Sequence, residues 1–281
     1  MSSGLSPKPE PPAVQAPEGP VNRWADLRPR VLSAVVLLAV GALEVFLGGL
    51  TFEIFAVGIT GIMIWELASL TGGRSAVAPL HLGLAAGLVL GLVLHLESDP
   101  ALALLMVPSA IFVATDRRDR RLAAAYALTI MIAGFGLIEL RLYSGVSAII
   151  WVISVVIASD VLGYFAGRLL GGPKFWPRIS PKKTWSGTVA GWFGAALIGA
   201  GFVQFAGADW LLVPLSVLVA FAGQMGDIAE SWIKRRAGVK DASNLIPGHG
   251  GLLDRFDALI GAVVLVKLLG LVLPVSALLG G

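Results

Sequence analysis

Apolar blocks of about twenty residues follow one another from Val31 to the end of the chain and dominate the sequence. An α-helix rises about 1.5 Å per residue, so about twenty apolar residues cross the roughly 30 Å hydrocarbon core of a bilayer. Composition agrees, because 56% of the 281 residues are hydrophobic and only 14% are charged, against about a quarter charged in soluble domains. The chain is therefore predicted to be an all-α integral membrane protein.

Nine such blocks can be counted, which predicts about nine transmembrane helices. The predicted spans are residues 31–49, 51–71, 76–96, 100–115, 122–140, 146–169, 187–207, 210–232 and 256–279. The first 21 residues instead carry six prolines and no apolar run. This composition predicts a disordered cytoplasmic tail over residues 1–22.

The basic residues predict how the chain is oriented. Of the 21 lysines and arginines, 19 fall on one side of the predicted membrane and Arg141 falls on the other. The remaining one, Lys267, lies inside the last span and is interpreted as a packing or pairing residue. Basic residues accumulate on the cytoplasmic side of membrane proteins, so the N-terminus is predicted to be cytoplasmic and the C-terminus non-cytoplasmic. The run Asp-Arg-Arg-Asp-Arg-Arg at 116–121 is interpreted as an anchor facing anionic lipid headgroups.

Two groups of acidic residues flank the loop between the last two predicted spans. At the end of the eighth predicted span, positions i, i+3, i+4 and i+7 are Asp227, Glu230, Ser231 and Lys234. Asp254 and Asp257 form an i, i+3 pair at the start of the next span. Residues at these spacings share one helix face, so the two carboxylate pairs are predicted to converge at one membrane depth.

Converging carboxylates repel one another inside a membrane, which either raises their pKa values or requires a cation. The chain has no cysteine, so oxygen ligands favour a hard ion such as Mg²⁺, alone or with a second cation. Magnesium commonly accompanies phosphate, and two loops offer donors for it. The first contains Lys240, Asp241, His249, Gly250, Gly251 and Arg255, and the second contains Lys174, Arg178, Ser180, Lys182, Lys183 and Thr184.

Other acids within the predicted spans receive separate interpretations. Asp160, followed one turn later by Tyr164, is either a site residue or a partner in a helix–helix hydrogen bond. Glu44, Glu53 and Glu66 have no motif residues beside them and are given no role in the site.

A longer string around the acidic pairs resembles a known signature. Residues 231–257 contain Ser, an apolar residue and Lys-Arg, then Lys-Asp, Pro-Gly-His-Gly-Gly and Asp-Arg-Phe-Asp at fixed spacing. At every fixed position this string is similar to the signature of the phosphatidate cytidylyltransferases, also called CDP-diacylglycerol synthases. Asp160 with Tyr164 and Gly167, and residues 180–185, also resemble that family. One departure is Ser186, where many members carry glutamate, and no role is assigned to it.

The resemblance implies that CTP and phosphatidic acid react to give CDP-diacylglycerol and pyrophosphate. The lipid phosphate is already a nucleophile, so the enzyme must bring two anions together and stabilise charge on the transferred phosphoryl group. Asp227 and Asp254 are expected to ligate the metal, with Glu230 and Asp257 binding it directly or supporting its ligands.

The resemblance also implies roles for residues of the two loops. The CTP phosphates are expected to be held by Lys182, Lys183, Lys240 and Arg255, and the phosphatidate head by Lys234 or Arg235. His249 would orient a phosphate or protonate the leaving group. The implied catalytic set is Asp227, Asp254, Lys240, His249 and Arg255. Further substrate-binding residues are expected at Ser180, Thr184, Ser231, Asp241, Gly250 and Gly251.

After the tail, the chain is predicted to consist of an N-terminal part and a C-terminal catalytic part. Residues 23–145 form about five N-terminal transmembrane helices, and residues 146–281 form the catalytic helices with cytoplasmic loops at 170–186 and 233–255. Expected partners are CTP, phosphatidic acid and the lipid bilayer; nucleic acid is not expected. A homodimer is allowed by glycine faces at Gly83, Gly87 and Gly91 and at Gly163, Gly167 and Gly171. The expected location is a bacterial inner (cytoplasmic) membrane, with the active site facing the cytoplasm.

Two other classes of protein also place acids within membrane helices. A transporter or channel would spread its acids through the membrane depth, whereas the strongest cluster here lies at one end of the spans. A lipid transferase that moves a phosphoalcohol out of CDP-diacylglycerol would carry an Asp-Gly, Ala-Arg, Gly and paired-Asp pattern, which is not found. The residues therefore favour a cytidylyltransferase.

Overall fold

A computed structural model describes residues 27–73, 77–96 and 98–279 of the chain. The tail predicted at residues 1–22 lies outside these ranges. Within them the chain is helical apart from one short hairpin and the connecting loops. The prediction of an all-α membrane protein is confirmed at this level, because the helices are both long and apolar.

The helices follow the predicted spans closely. In the described part of the chain they are α1 (Leu27–Leu47), α2 (Gly49–Leu70), α3 (Pro79–Leu96), α4 (Met106–Ala114), α5 (Arg120–Leu169), α6 (Trp185–Ala206), α7 (Leu212–Ala237), α8 (Leu253–Leu269) and α9 (Val275–Leu278). Five of these are long and apolar enough to cross a membrane, namely α2, α3, α5, α6 and α7. The number of crossings and the orientation of the termini stay predictions.

The predicted fourth span combines two kinds of helix. A 3₁₀-helix, Asp99–Leu105, leads directly into α4. The 3₁₀ residues rise about 2.0 Å each and the α-helical residues about 1.5 Å each, so the pair extends over about 28 Å. This length is close to the thickness of the hydrocarbon core, although the segment has few residues.

The predicted fifth and sixth spans are two parts of one long helix, α5. Its 50 residues would extend about 75 Å if straight, more than twice the hydrocarbon thickness. The helix is interrupted at Gly145, whose φ of 73° and ψ of −167° lie in a region open almost only to glycine. The break falls in the gap predicted between the two spans.

Two features differ from the sequence prediction. The last span is predicted to reach residue 279, but α8 ends at Leu269 and only the short α9 follows Pro274. Loop 170–186 contains an antiparallel hairpin of β1 (Lys174–Trp176) and β2 (Ser180–Thr184). Its strands are too short for alternation of polar and apolar residues to indicate them.

Helices α7 and α8 pack with their backbones in contact because both carry glycine at the crossing. A Cβ added to Gly261 would collide with the carbonyl group of Ala222, and one added to Gly226 would collide with the carbonyl oxygen of Asp257. Missing side chains let helices approach closely in membrane bundles. Because Gly226 adjoins Asp227, this contact brings the two acidic helix faces together.

The turn between α4 and α5 is held by contacts with other parts of the protein. Arg117 is buried and donates to the carbonyl oxygens of Ala68 at 2.8 Å and Val77 at 2.7 Å. Arg236 on α7 binds the carboxylate of Asp119 through hydrogen bonds of 2.8 and 2.5 Å. The hydrogen bond from Arg236 lowers the pKa of Asp119 below its ordinary value. The interpretation of this run as a headgroup anchor is wrong for Arg117 and Asp119, because backbone and side-chain partners within the protein satisfy them.

Glycines of the two predicted dimer faces pack within the chain. A Cβ on Gly83 would meet the carbonyl oxygen of Gly61 on α2, and one on Gly163 would meet that of Gly187 on α6. These glycines therefore bring neighbouring helices of one chain together. The homodimer stays a prediction.

Replacing Gly261 with alanine should weaken the packing of α7 on α8, because the methyl group would overlap the carbonyl of Ala222. Overpacking of this kind costs about 1–3 kcal/mol, so the midpoint of thermal unfolding in detergent should fall. Gly201→Ala in α6 is the control, since a Cβ there meets nothing within 4 Å and alanine favours a helix by about 0.5–1 kcal/mol. Equal midpoints for the two variants would contradict the argument.

Candidate active site

A cavity of about 500 Å³ lies among α5, the hairpin, α6, α7 and α8. The side formed by α5 contributes Ser159, Asp160, Gly163, Tyr164, Gly167 and Arg168. The hairpin and the start of α6 contribute Lys182, Lys183, Thr184, Gly187 and Thr188. The side formed by α7 and α8 contributes Gln224, Asp227, Asp254 and Asp257. The cavity therefore has an acidic side and a side that carries basic and hydroxyl groups.

Three carboxylates meet where α7 and α8 cross. Within the described residues, Asp227, Glu230 and Asp257 each offer an oxygen, and these oxygens all lie within 4.8 Å of one another. The i, i+3 spacing puts the first two on one face of α7, and the glycine contact brings the α8 face against it. Glu230 is completely buried, whereas the other two line the cavity.

Lys234 lies between two of the predicted metal ligands. Its Nζ is 2.5 Å from Glu230 Oε2 and 2.5 Å from Asp254 Oδ1, and the lysine is buried. Buried charges need a partner of opposite sign, so the two carboxylates account for the position of this ammonium group. The structure thus places Lys234 inside the acidic cluster, whereas the sequence prediction gave Lys234 or Arg235 as the residue that holds the phosphatidate head.

Lys183 from the hairpin reaches the same cluster from across the cavity. Its Nζ lies 2.5 Å from Asp227 Oδ2 and donates to the carbonyl oxygen of Gln224 at 3.3 Å. Ser231, one turn after Asp227, donates to its Oδ1 at 3.2 Å. The side chain of Asp227 is 29% exposed, so a ligand in the cavity could reach it.

This cluster holds more carboxylates than ammonium groups. Two ammonium groups, Lys183 and Lys234, face the four carboxylates of Asp227, Glu230, Asp254 and Asp257. With all four carboxylates ionised, the two negative charges in excess would be matched by one divalent cation. Glu230 Oε1 is buried and has no hydrogen-bond partner within the described residues. Oxygen-only ligands with an excess negative charge suit a hard cation, so this residue set fits Mg²⁺.

Asp254 joins the acidic cluster to the loop between α7 and α8, residues 238–252, which is called the signature loop below. While its Oδ1 faces Lys234, its Oδ2 accepts the N–H groups of Ala242 at 2.8 Å and of Gly251 at 2.7 Å. Gly250 has a φ of 82°, which glycine adopts without strain. Asp254 is therefore engaged by the protein at both oxygens and is not one of the three carboxylates that converge most closely.

His249 is held by a residue of α1. Its Nδ1 lies 2.8 Å from the hydroxyl oxygen of Ser33, and this hydroxyl lies 3.2 Å from the carbonyl oxygen of Pro247, to which it can donate. Arg255 donates to the carbonyl oxygen of His249 at 3.0 and 2.5 Å. These contacts hold the Nδ1 side of the imidazole against α1 and tie the Arg255 side chain to the loop.

Glu66 also belongs to this region, although it was given no role from the sequence. It is completely buried on α2 and accepts the N–H groups of Leu252 at 2.9 Å and Leu253 at 2.6 Å. The hydroxyl of Ser243 donates to it at 2.5 Å. No motif beside Glu66 indicated these contacts, because its partners lie far along the chain, in the signature loop and at the start of α8.

Gln224 is a second residue that the sequence interpretation missed. Its Nε2 donates to Ser159 Oγ at 3.2 Å and to the Thr188 carbonyl at 3.3 Å, and its Oε1 accepts the Trp192 indole N–H at 3.0 Å. The amide therefore joins α5, α6 and α7 at the cavity wall. Gln224 could have been identified from the sequence, because it lies three residues before Asp227 and this spacing puts both side chains on one helix face.

The predicted site residues separate into two groups. Those that line the cavity are Asp160, Tyr164, Lys182, Lys183, Thr184, Asp227, Asp254 and Asp257. Those outside its lining are Ser180, Glu230, Ser231, Lys234, Arg235, Lys240, Asp241, His249, Gly250, Gly251 and Arg255. The second group includes exposed residues of the signature loop, such as Lys240 and Asp241. The chemical roles of both groups stay predictions.

Comparison with known proteins extends the similarity over most of the chain. The sequence profile of the cytidylyltransferase family matches residues 28–273. A phosphatidate cytidylyltransferase of Brucella abortus biovar 1 is 36% identical over 257 residues, which cover 88% of this chain and 94% of that protein. Proteins of the same name from Staphylococcus saprophyticus and Staphylococcus aureus are 31% and 30% identical, and each alignment covers 86% of this chain and 98% of the relative.

Lys234→Met should destabilise the protein far more than Arg235→Met. The first change leaves Glu230 and Asp254 without their ammonium partner, and breaking a buried ion pair costs about 3–5 kcal/mol. Arg235 is the matched control, because it is exposed and donates only to the carbonyl oxygen of Val239, at 3.3 Å, within the described residues. Thermal unfolding in detergent would measure both, and equal midpoints would contradict the structural role of Lys234.

Proposed function

The chain belongs to the cytidylyltransferase family, and we propose that it is a phosphatidate cytidylyltransferase of phospholipid biosynthesis. It joins CTP to phosphatidic acid, giving CDP-diacylglycerol and pyrophosphate. The observation that carries this proposal is the cavity in which carboxylates of α7 and α8 face basic residues of the hairpin. A cavity of this kind suits a reaction between two substrates that both carry phosphate.

The reaction needs no activated side chain as nucleophile. An oxygen of the phosphatidate phosphate bonds to the α-phosphorus of CTP, and the bond from that phosphorus to the oxygen bridging to the β-phosphate breaks. Pyrophosphate leaves with the electron pair of the broken bond. Because both reactants are anions, the protein must offset their repulsion, align them and stabilise charge on the phosphoryl group in transfer.

Asp227, Glu230 and Asp257 would hold Mg²⁺. Their mutual proximity, the excess negative charge and the unsatisfied oxygen of Glu230 support this assignment. When bound, magnesium supplies positive charge to phosphate oxygens and to the leaving group. Asp254 would keep the signature loop in place beside them, and Asp160, which lines the same cavity, is the carboxylate left for a second cation.

Lys182, Lys183 and Thr184 would receive the phosphates of CTP. All three line the cavity, and Lys183 already pairs with Asp227 across it. With the charge of Asp227 neutralised by the metal, Lys183 would be released to a phosphate oxygen. The site would then exchange one ion pair for charge-assisted contacts with the substrate.

Arg168 is a better candidate than Lys234 or Arg235 for binding the phosphatidate head. It lines the cavity in the last turn of α5 and donates to the Tyr164 hydroxyl at 2.8 Å. No carboxylate in the described part of the chain forms an ion pair with it. Its neighbour Leu169 is 81% exposed, as expected of a lipid-facing surface. Arginine binds phosphate through two parallel hydrogen bonds, so Arg168 suits a lipid phosphate that enters from the bilayer.

The bilayer and the cytoplasm would supply the two substrates. CTP is a cytoplasmic nucleotide, and the basic loops favour the cytoplasmic side. We therefore place the cavity at the cytoplasmic face of a bacterial inner membrane. The bacterial relatives and the apolar helices support a membrane location.

The direct test is to incubate the purified protein with labelled CTP, phosphatidic acid in detergent micelles and Mg²⁺. Labelled CDP-diacylglycerol and free pyrophosphate should form in equal amounts. Diacylglycerol in place of phosphatidic acid is the control, because it lacks the attacking phosphate. Absence of a CDP-lipid would refute the proposed function.

Asp257→Asn should abolish stabilisation by Mg²⁺ while leaving the fold intact. Asparagine keeps an oxygen for the N–H of Ala258, which Asp257 accepts at 2.7 Å, but removes one negative charge from the metal site. Saturating Mg²⁺ at 100 times its Kd stabilises a protein by about 2.7 kcal/mol, so the wild-type midpoint should rise. Glu53→Gln, outside this cavity, should respond as the wild type does. A full Mg²⁺ response in Asp257→Asn would overturn the metal assignment.

Arg168→Ala should raise the KM for phosphatidate at least about tenfold, because a hydrogen bond to a charged group contributes about 1.5–3 kcal/mol. The KM for CTP should change little. Initial rates at varied mole fractions of phosphatidate in micelles would measure the first value, and Arg235→Ala is the control. A rise in the KM for CTP alone would assign Arg168 to the nucleotide instead.

A further inference from the structure

Glu66 is a buried carboxylate that the proposed reaction does not use, yet it binds the signature loop. It lies on α2 and is 0% exposed. Its three hydrogen-bond donors are 177, 186 and 187 residues further along the chain. A carboxylate buried this deeply within a helix bundle needs strong partners, and here all three are groups of the loop and the start of α8.

The carboxylate takes the place of an N-cap for α8. The N-cap position is occupied by Leu252, which offers no side-chain hydrogen bond. The first N–H groups of a helix have no acceptor within it. Glu66 Oε1 accepts the Leu252 N–H and Oε2 accepts the Leu253 N–H, at 2.9 and 2.6 Å. Negative charge at this end of α8 is also favoured by the helix dipole.

Glu66 also fixes the other end of the loop. The hydroxyl of Ser243 donates to its Oε1 at 2.5 Å, and the preceding residue, Ala242, donates its N–H to Asp254. Gly251 makes room for this arrangement, because a Cβ there would lie 2.5 Å from Glu66 Oε1. Glu66 and Asp254 therefore bind both ends of the loop, and each bond restrains the start of α8.

We propose that Glu66 is a positioning residue for cytidylyl transfer. It fixes the first turn of α8, and with it Asp254 and Asp257, relative to the carboxylates of α7. Glu66 does not line the cavity, so it acts on the reaction through α8 and not by touching substrate. This inference rests on the proposed function, and it gives α2 a part in the chemistry of the C-terminal helices.

The proposal requires both the charge and the length of glutamate. Glutamine has nearly the same shape, but its amide nitrogen is a donor and would face one of three groups that also donate. Aspartate keeps the charge but is shorter by one methylene group, so it would not reach all three donors. Both substitutions should therefore loosen the start of α8.

Glu66→Gln should lower kcat by about 10–100-fold, as is typical when a residue that supports metal ligands is lost. The Mg²⁺ concentration for half-maximal rate should rise, while the KM for phosphatidate should stay near the wild-type value. Glu53→Gln is the matched control, because it removes a charge from the same helix but lies beside a different cavity. Its kcat and Mg²⁺ dependence should match the wild type.

Hydrogen exchange gives a readout that does not need turnover. The amides of Leu252 and Leu253 should exchange faster in Glu66→Gln, together with residues 243–251, while peptides from α3 and α6 keep the wild-type rate. Ser243→Ala, which removes one of the three donors, is the milder variant to use where Glu66→Gln does not fold. It should change kcat and exchange in the same direction by a smaller factor.

Two results would overturn the proposal. One is a Glu66→Gln enzyme with wild-type kcat and Mg²⁺ dependence; the other is faster exchange throughout the protein, which would give Glu66 a purely structural role. Failure of the proposed function is distinguishable. If the wild type forms no CDP-lipid, the exchange pattern and the Mg²⁺-induced shift in unfolding midpoint still decide whether Glu66 positions α8 and its carboxylates.

Discussion

The backbone contact between α7 and α8 at Gly226 and Gly261 is the constraint on which the site depends. It lets two helices with acidic faces cross closely enough for Asp227, Glu230 and Asp257 to bring oxygens within 4.8 Å of one another. Any side chain at the crossing would separate these carboxylates. The packing that holds the bundle together therefore also concentrates negative charge where a cation would bind.

The protein controls this charge with lysines in two different environments. Lys234 is buried between Glu230 and Asp254 and belongs permanently to the cluster, whereas Lys183 reaches Asp227 from the hairpin across an open cavity. Only the ion pair between Lys183 and Asp227 can be broken without leaving a buried, unpaired charge, because both side chains are partly exposed. This difference separates a lysine that is enclosed by the protein from one that is accessible from the cavity.

Much of the fold and part of the site could be predicted from the sequence. The apolar blocks predicted most of the helices, and the gap between two spans contained the break at Gly145. The i, i+3 spacing predicted that four acids would converge, and three of them bring oxygens within 4.8 Å of one another. Glu66 and Gln224 could not be assigned in the same way. Their partners are groups on distant elements, including backbone N–H groups that every residue except proline carries, so no motif beside them marks the contact.

The sequence by itself determined where the long apolar segments lie and which charged residues share a helix face. These are local properties, set by the length of an apolar run and by the period of the helix. Only the tertiary structure decided that Lys234 is enclosed by acids, that Arg168 lines the cavity and that Glu66 caps α8. Each of these depends on how helices cross, and a crossing depends on side-chain shapes on two surfaces that are far apart in the chain.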